Sequence, residues 1–482
     1  MIRSARIREL LGLVPVALLV TGGFTAVLLT RTESTNNVTL TYGLVFLGLC
    51  VLGHLFIRAR LPDADPYLFP LAALLAAFGL VMIYRIDAEL AREQAQWFVL
   101  GLAFFCGTVV LLRDIHALER YRYTIAAIGI ALLMSPRIPG LGEQVNGAYL
   151  AVGVGPIQFQ PAEFGKLAII IFLASYLRDT RELLVRPPGK MTPRQWLLLV
   201  GVPVALLALV ALMLQLSSTQ IVLFGLFGAS VIAVLRDRPS PKYFGPLLVV
   251  WGLAMLMLLF IRDLGSSLMF FGAFLALLYV ATQRISLVGV GTGMFLGGAT
   301  LFANSVAHVR SRIETWEDPF RPDLVEDESY QIAQSLFAQA DGGLFGRGFG
   351  QSLLEVQDGP PLIPEAHTDL IYSVITNELG LFGATAVVLI YLLFVARGFK
   401  TALLAGDVFS KLLAAGLAAV VALQVFVIVG GVTKVIPLTG VTLPFVSYGG
   451  SSIVANMVLL ALLLIVSNEA RREPGVQRGG LV

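Results

Sequence analysis

Apolar residues fall along this chain in long blocks separated by short polar breaks. Many blocks approach the roughly 20 residues that cross a bilayer as a helix. The pattern predicts spans near 11–30, 39–57, 67–84, 95–112, 122–135, 163–178, 196–213, 219–235, 243–261, 266–282, 286–303, 370–396, 408–431 and 448–467, with only a tight turn, "IRDLGSS", dividing the block at 261–266. The first block lacks a small-residue cleavage site before the next one, so it reads as a retained span and not a removed signal peptide.

Composition agrees with that pattern. Hydrophobic residues make up 57% and charged residues 13% of the 482 positions, and mean hydropathy is +0.83, whereas soluble domains carry about 25% charge. The fold class expected is an all-α polytopic membrane protein. A net charge of +3 is too small to suggest a nucleic-acid partner, and Cys50 and Cys106 lie within apolar blocks, which disfavours a disulfide framework or thiolate metal site.

The distribution of Lys and Arg sets an orientation. Arg3, Arg6 and Arg8 precede the first span, and alternate loops then carry Arg58 and Arg60, Arg113 and Arg120, the cluster Arg178 to Arg194, Arg236 to Lys242, Arg397 and Lys400, and Arg471 and Arg472. Both termini are therefore expected on the cytoplasmic side, with 136–162, 304–369 and 432–447 outside. The 304–369 connection is by far the longest. It contains aromatic residues and a helically spaced apolar patch, "YQIAQSLFAQA", so an ordered outer cap is expected.

Five polar stretches collect on that outer side: "VNGAYLAVGVGPIQFQPAEFGK", "RDLGSS", "RSRIETWEDPF", "LIPEAHTDLIYSVITNELG" and "IPLTGVTLPFVSYGGSS". Each has a plain structural reading beside a functional one. Glu163 and Lys166, at i and i+3, form either a local ion pair or a substrate contact. Asp263 can cap the following helix, and Trp316 suits an interfacial anchor as well as a binding wall. "DGGLFGRGFGQ" lacks the Gly-Lys-Ser/Thr ending of a phosphate loop and reads as loop punctuation. The "SYGGSS" stretch, with Ser451, can cap the last span or offer backbone N–H groups to an anion. In the fourth stretch Pro364 is expected to open a helix, placing Glu365 in its first turn and Asp369 on the same face at i+4. Each carboxylate should then raise the other's pKa, a tuning suited to general-base chemistry. These features alone leave a transporter and a lipid-modifying enzyme both standing.

At "VNGA", "FQPAEFGK", "DLGSS", "WEDPF" with "YQIAQSLFA", "GLFGRGFGQS", "IPEAHTDLIYSVITNELG" and "LPFVSYGGSS", the chain resembles the SEDS family of peptidoglycan polymerases, in the family's order over roughly 67–470. The resemblance implies a SEDS-type bundle of about ten core helices in 67–482. Residues 1–66 and 196–235 would supply two extra pairs, and 304–369 the large outer loop. It implies polymerisation of lipid II, as donor and acceptor, with undecaprenyl pyrophosphate leaving. A lipid II flippase, a division-specific synthase and a scaffold for a partner enzyme are the alternatives. The family's essential aspartate maps onto Asp369, the proposed base. Lys166, Glu163, Asp263, Arg310, Arg312, Trp316, Glu365, His367, Thr368 and Ser451 are the candidate substrate contacts, with His367 positioning the loop. No cofactor is implied beyond a divalent cation, Mg or Mn, near the pyrophosphate. The partner implied is a class B penicillin-binding protein. Where the family usually has Arg and Trp after "VNGA", this chain has Tyr149 and Leu150, and Ile261-Arg262 replaces the usual Gln-Pro. Thr439-Gly440 resembles the elongation branch, and the extra helices resemble actinobacterial members.

Overall fold

The computed structural model describes residues 2–30, 38–145, 148–154, 157–185, 264–303, 307–352 and 362–472. The expected spans 196–213, 219–235 and 243–261, together with Asp263, lie outside the described residues.

Helices α1 (Ile2–Gly12) and α2 (Val14–Thr30) run nearly end to end, followed by α3 (Val38–Arg60), α4 (Leu68–Ile86), α5 (Ala88–Leu111), the short α6 (Ala117–Arg120) and α7 (Arg122–Met134). Then come α8 (Pro161–Val185), α9 (Leu264–Thr282), α10 (Ile285–Ala303), α11 (Ala307–Glu317), α12 (Tyr330–Gly342), α13 (Ile371–Leu404), α14 (Val408–Val432) and α15 (Gly450–Arg472). Among the described residues eight helices are long and apolar enough to cross a membrane, and the chain is an all-α polytopic membrane protein. Helix α15 buries 89% of its most apolar stretch and α14 78%, against 28% for the span through α1 and α2, so the last helices form the centre and the first the rim. Around α15 and α14 pack α5, α13, α9 and α8, while α2 and α3 lean on α4 and α5.

Several boundaries differ from expectation for local reasons. Helix α5 starts at 88 and not 95 because Asp87 caps it, accepting from the Glu89 N–H at 2.7 Å and the Leu90 N–H at 3.2 Å. Helix α7 has 13 residues, about 20 Å at 1.5 Å per residue, which is short of a bilayer core. The sequence "GEQVNGAYLAVGVGPIQF" forms a three-stranded antiparallel meander, β1 (Gly142–Val145), β2 (Ala148–Val154) and β3 (Ile157–Phe159), which the helix-based reading did not anticipate. Within the long connection between α10 and α13, the described residues form two helices, α11 and α12.

The fourth polar stretch departs most. No helix starts at Pro364: residues 362–370 form successive turns and α13 opens only at Ile371. Glu365 has φ of 50°, a left-handed value that no right-handed helix accepts. Its carbonyl accepts from the N–H groups of both Thr368 (3.0 Å) and Leu370 (3.3 Å), which curls the segment instead of extending a helix.

Helix α13 is itself broken at Gly380, with φ of 66° and ψ of −171°. The run "DGGLFGRGFGQ" lies along the break and pairs with it. The Arg347 N–H donates to the Asn377 carbonyl at 2.9 Å, Gly348 N–H to Glu378 at 3.1 Å, and Leu381 N–H to the Gly343 carbonyl at 3.0 Å. A Cβ at Gly380 would meet the Leu344 carbonyl oxygen at 2.4 Å, so the contact requires glycine for space as well as for φ. Buried Glu378 accepts from the Gly350 N–H at 2.9 Å and pairs with Arg85 at 3.2 Å.

The other end of the bundle is fastened by ions. Asp65, fully buried in the α3–α4 turn, pairs with Arg397 of α13 and Arg471 of α15 and accepts from the Tyr67 N–H at 2.8 Å. Beside it Arg6 pairs with Glu9 and reaches the Ala64 carbonyl, and His54 lies 3.0 Å from Glu9, which ties the first helices to this turn. Removing one partner of a buried pair leaves its counter-charge uncompensated, at about 3–5 kcal/mol. Asp65→Asn should therefore cost about 3 kcal/mol, near the low end because both arginines keep some solvent. Asp63→Asn, whose partner Arg472 is exposed and 3.8 Å away, should cost under ~1 kcal/mol. Thermal unfolding of both variants in detergent checks the difference, and equal melting temperatures would remove the ionic fastening from this account.

Candidate active site

Asp369 is the last residue but one before α13, and its position is fixed by a second irregular segment, 433–449, between α14 and α15. The Ser447 hydroxyl donates to the Thr368 carbonyl at 2.6 Å and accepts from the Leu443 N–H at 2.8 Å. The Tyr448 N–H donates to the His367 carbonyl at 2.8 Å, with the two rings edge to face at 5.7 Å. Behind this pair, buried Gln94 of α5 donates to the Ser447 carbonyl (3.1 Å) and accepts from the Gly449 N–H (3.2 Å). The segment can reach so far inward because Gly79 of α4 has no side chain: a Cβ there would lie 2.3 Å from the Val446 carbonyl oxygen.

These two segments concentrate backbone strain. Four non-glycine residues among those described have positive φ, and three of them are Glu365, Lys434 and Phe445. Such conformations cost about 1–3 kcal/mol each and cluster where surrounding structure over-determines them for function.

Asp369 is half-buried, and enclosure dominates its electrostatics. Its pKa is raised to about 6: burial is the largest influence, its own backbone N–H opposes, Glu365 adds to the rise, and the Thr368 hydroxyl and the Arg312 guanidinium oppose it. Thr368 Oγ1 lies 3.1 Å from Asp369 Oδ1 and 3.0 Å from Glu365 Oε2, linking the two carboxylates. The mutual tuning expected of Glu365 and Asp369 on one helix face is thus corrected: they are joined through a turn and a hydroxyl, and Glu365 is a lesser influence than burial. Gly440 (φ 68°) faces Asp369 Oδ2, which an added Cβ would approach to 3.9 Å. His367 is held below its ordinary pKa mainly by burial, so it stays neutral at neutral pH and suits positioning.

The remaining candidates divide. Arg312 of α11 is half-buried, donates to the Leu438 carbonyl at 3.4 Å, and is the cation that acts on Asp369. Trp316 donates from Nε1 to the Lys434 carbonyl at 3.1 Å and so pins α11 to the 433–449 segment. Arg310 is exposed and paired with Glu314 at 2.7 Å, away from this group. Lys166 and Glu163 are buried and paired with each other, and Lys166 also donates to Gln424 at 3.0 Å, which are the contacts of the local ion-pair reading. Gln424 in turn donates to the Thr442 carbonyl at 2.8 Å, so Lys166 supports the 433–449 segment from behind. Ser451 accepts from the Gln160 N–H at 2.9 Å and joins the meander to α15. The anion-nest reading of "SYGGSS" is weakened because the N–H groups of Tyr448 and Gly449 already have acceptors.

Gln94, Gln424 and Ser447 carry much of this arrangement and were not singled out from sequence. Gln424 offered a signal, as a lone amide inside "VALQVFV". For a metal, Glu365 and Asp369 are the carboxylates here. Among the described residues, the one group of three ligating side chains is His116, Glu119 and Asp407, near the far ends of α5 and α13, where Arg178 already pairs with Glu119.

Comparison with known proteins fits this geometry. A family model described as "Cell cycle protein", covering FtsW, RodA and SpoVE, matches residues 66–236 and 224–472. The peptidoglycan glycosyltransferase RodA of Mycobacterium tuberculosis is 37% identical over 445 residues, 90% of this chain and 84% of that protein. The stage V sporulation protein E of Bacillus subtilis is 29% identical, covering 84% of this chain and 98% of its own length. Among solved structures, a chain from a peptidoglycan synthase complex superposes with a TM-score of 0.60 at 24% identity, over 84% of this chain and 98% of that one. The rod shape determining protein RodA of Thermus thermophilus gives 0.50 at 24% identity, over 84% and 97%. The matched ranges take in every segment around Asp369, and the chain belongs to the FtsW, RodA and SpoVE family of cell cycle proteins, the SEDS family.

Proposed function

We propose that this chain is a peptidoglycan glycosyltransferase that polymerises lipid II into glycan strands and releases undecaprenyl pyrophosphate. The observation that carries the reading is Asp369, a carboxylate with its pKa raised to about 6, held where two strained segments meet. A group poised near the working pH is the best compromise between being ionised and being basic. Asp369 takes the proton from the acceptor sugar hydroxyl as that oxygen attacks the anomeric carbon of the donor. The bond from that carbon to the pyrophosphate oxygen breaks, and undecaprenyl pyrophosphate leaves with the electron pair. Arg312 is the cation placed to meet negative charge at this site.

A divalent cation belongs to the same proposal. Magnesium is commonly held by one or two carboxylates completed by substrate phosphates, and Glu365 is the carboxylate here that the proton transfer leaves free. Bound there, the ion would neutralise charge on the pyrophosphate. Relatives named RodA match at 37–38% identity and those named FtsW at 27–28%, which supports the elongation branch. A class B penicillin-binding protein is the proposed partner, in keeping with the structural likeness to a chain of a synthase complex.

General-base catalysis contributes about 10²–10⁴-fold. Asp369→Asn keeps the shape but cannot accept the proton, and should lower the initial rate of lipid II polymerisation by that factor at matched protein level. Near-normal turnover would end the assignment of the base.

The acid limb of the pH–rate profile follows from the same charges. Base competence is lost as pH falls through about 6, the folded-state pKa of Asp369. Removing a neighbouring negative charge lowers that pKa and removing a positive one raises it. Glu365→Gln should therefore move the limb to lower pH, and Arg312→Gln to higher pH. Shifts of the same sign in both variants would mean that another group governs the limb.

Orientation is part of the proposal, with the site extracytoplasmic and both termini cytoplasmic. In a Cys50→Ala, Cys106→Ala background, an impermeant thiol reagent applied to spheroplasts should label Asp323→Cys and spare Glu182→Cys. The reverse pattern would invert the topology.

A further inference from the structure

Asp369 and its surroundings lie at one end of the bundle, but a separate cavity of about 350 Å³ opens at the other, lined by residues of α3, α5 and α15 and the turns that follow α3 and α5. Pockets that hold small ligands begin near this size. Its polar wall is basic: Arg60 is the last residue of α3, Arg113 follows the end of α5, and Arg472 is the last residue of α15. Its apolar wall includes Leu61, Val110 and Ile465. Glu469 is the one acidic residue in the lining, so three arginines less one glutamate leave a formal charge of +2.

Arg60 and Arg113 are exposed and form no ion pair among the described residues, and Arg472 has only a 3.8 Å approach to Asp63. Neighbouring arginines at this face are engaged differently: Arg471 and Arg397 are held by Asp65, and Arg6 by Glu9. Guanidinium groups gathered in one lining repel one another, so an anion that enters among them relieves that repulsion. The helix ends place them at headgroup depth, while the apolar wall continues along the spans toward the bilayer interior. A ligand that suits both walls has a phosphate at one end and hydrocarbon at the other.

We propose that this cavity binds the headgroup of an anionic phospholipid, whose phosphodiester meets Arg60, Arg113 and Arg472 and whose acyl chains follow the groove between α3 and α5. Basic pockets between transmembrane helices select anionic headgroups on the same charge principle. A soluble phosphate would use the arginines and leave the apolar wall uncovered, so the lipid is the occupant that fits both. Arg60 and Leu61 precede residue 66, where the family match begins. The N-terminal helices therefore complete a site that the matched region builds only in part, and the bound lipid joins the two.

Native mass spectrometry of the full-length protein in detergent tests this, with phosphatidylglycerol, phosphatidylcholine or inorganic phosphate added at equal concentration. Phosphatidylglycerol should give adducts that persist on collisional activation, at least tenfold more abundant than those of phosphatidylcholine or inorganic phosphate. Arg60→Ser with Arg113→Ser should reduce them at least tenfold, whereas Arg58→Ser with Arg120→Ser, on the same face but outside the cavity, should leave them in place. Equal retention of phosphatidylcholine, or persistent inorganic phosphate adducts that displace the lipid, would overturn the proposal. An equal loss in both double variants would overturn it too, since attraction to the basic face as a whole would then account for binding. Circular dichroism and gel filtration of the variants establish that each is folded before its adducts are compared.

Discussion

Backbone that is not helical has no water to bond with at membrane depth, and each unsatisfied N–H or carbonyl there costs several kcal/mol. Among the described residues, the break at Gly380 and the segment 433–449 are such irregular stretches, and much of the surrounding structure satisfies them. Residues 343–348 supply amides and carbonyls to the break. Gln94, Gln424, Ser447 and Tyr391 serve the 433–449 segment, with Tyr391 donating to the Pro444 carbonyl. These four polar side chains are thus accounted for by the backbone groups they serve.

That accounting separates Asp369 from its neighbours. Among the described residues its carboxylate has one side-chain donor, the Thr368 hydroxyl, which is shared with Glu365. No guanidinium or ammonium reaches it within ion-pair distance among the described residues, although Arg312 acts on it through space. Contrast Asp65, whose two arginines hold its pKa below the ordinary value despite complete burial. One carboxylate is fastened as an anion and the other is left able to take a proton. The difference lies in the partners, not in the depth.

Much of this was legible in the sequence. The apolar blocks gave most helices to within a few residues, and the clustering of polar stretches on one side foretold which segments meet. The "HTD" element drew attention to Asp369 for a sound reason, an ionisable group beside an apolar run. What failed was local geometry. Pro364 suggested a helix start, but the segment is tethered at His367 and Thr368 by Tyr448 and Ser447, residues about 80 positions away, and a long-range tether outweighs a local preference. The meander at 142–159 was missed because its short strands lie between two strong helical signals. Lys166 is among the candidate contacts, but its ammonium is occupied by Glu163 and Gln424; the cation that acts on Asp369 is Arg312, which sits in a loop helix whose path no periodicity reveals.

The tether also ties the acid–base property to the fold. Enclosure, more than any neighbouring charge, raises the Asp369 pKa, and enclosure depends on how deeply the 433–449 segment sits. Gly79 allows the depth, Gln94 and Ser447 hold it, and the left-handed residues Lys434 and Phe445 store its strain. A change at any of these that loosened the wall around Asp369 would admit water and return the carboxylate toward its ordinary acidity. The residues that set its basicity are therefore spread over α4, α5 and the α14–α15 segment, and none of them needs to touch a substrate.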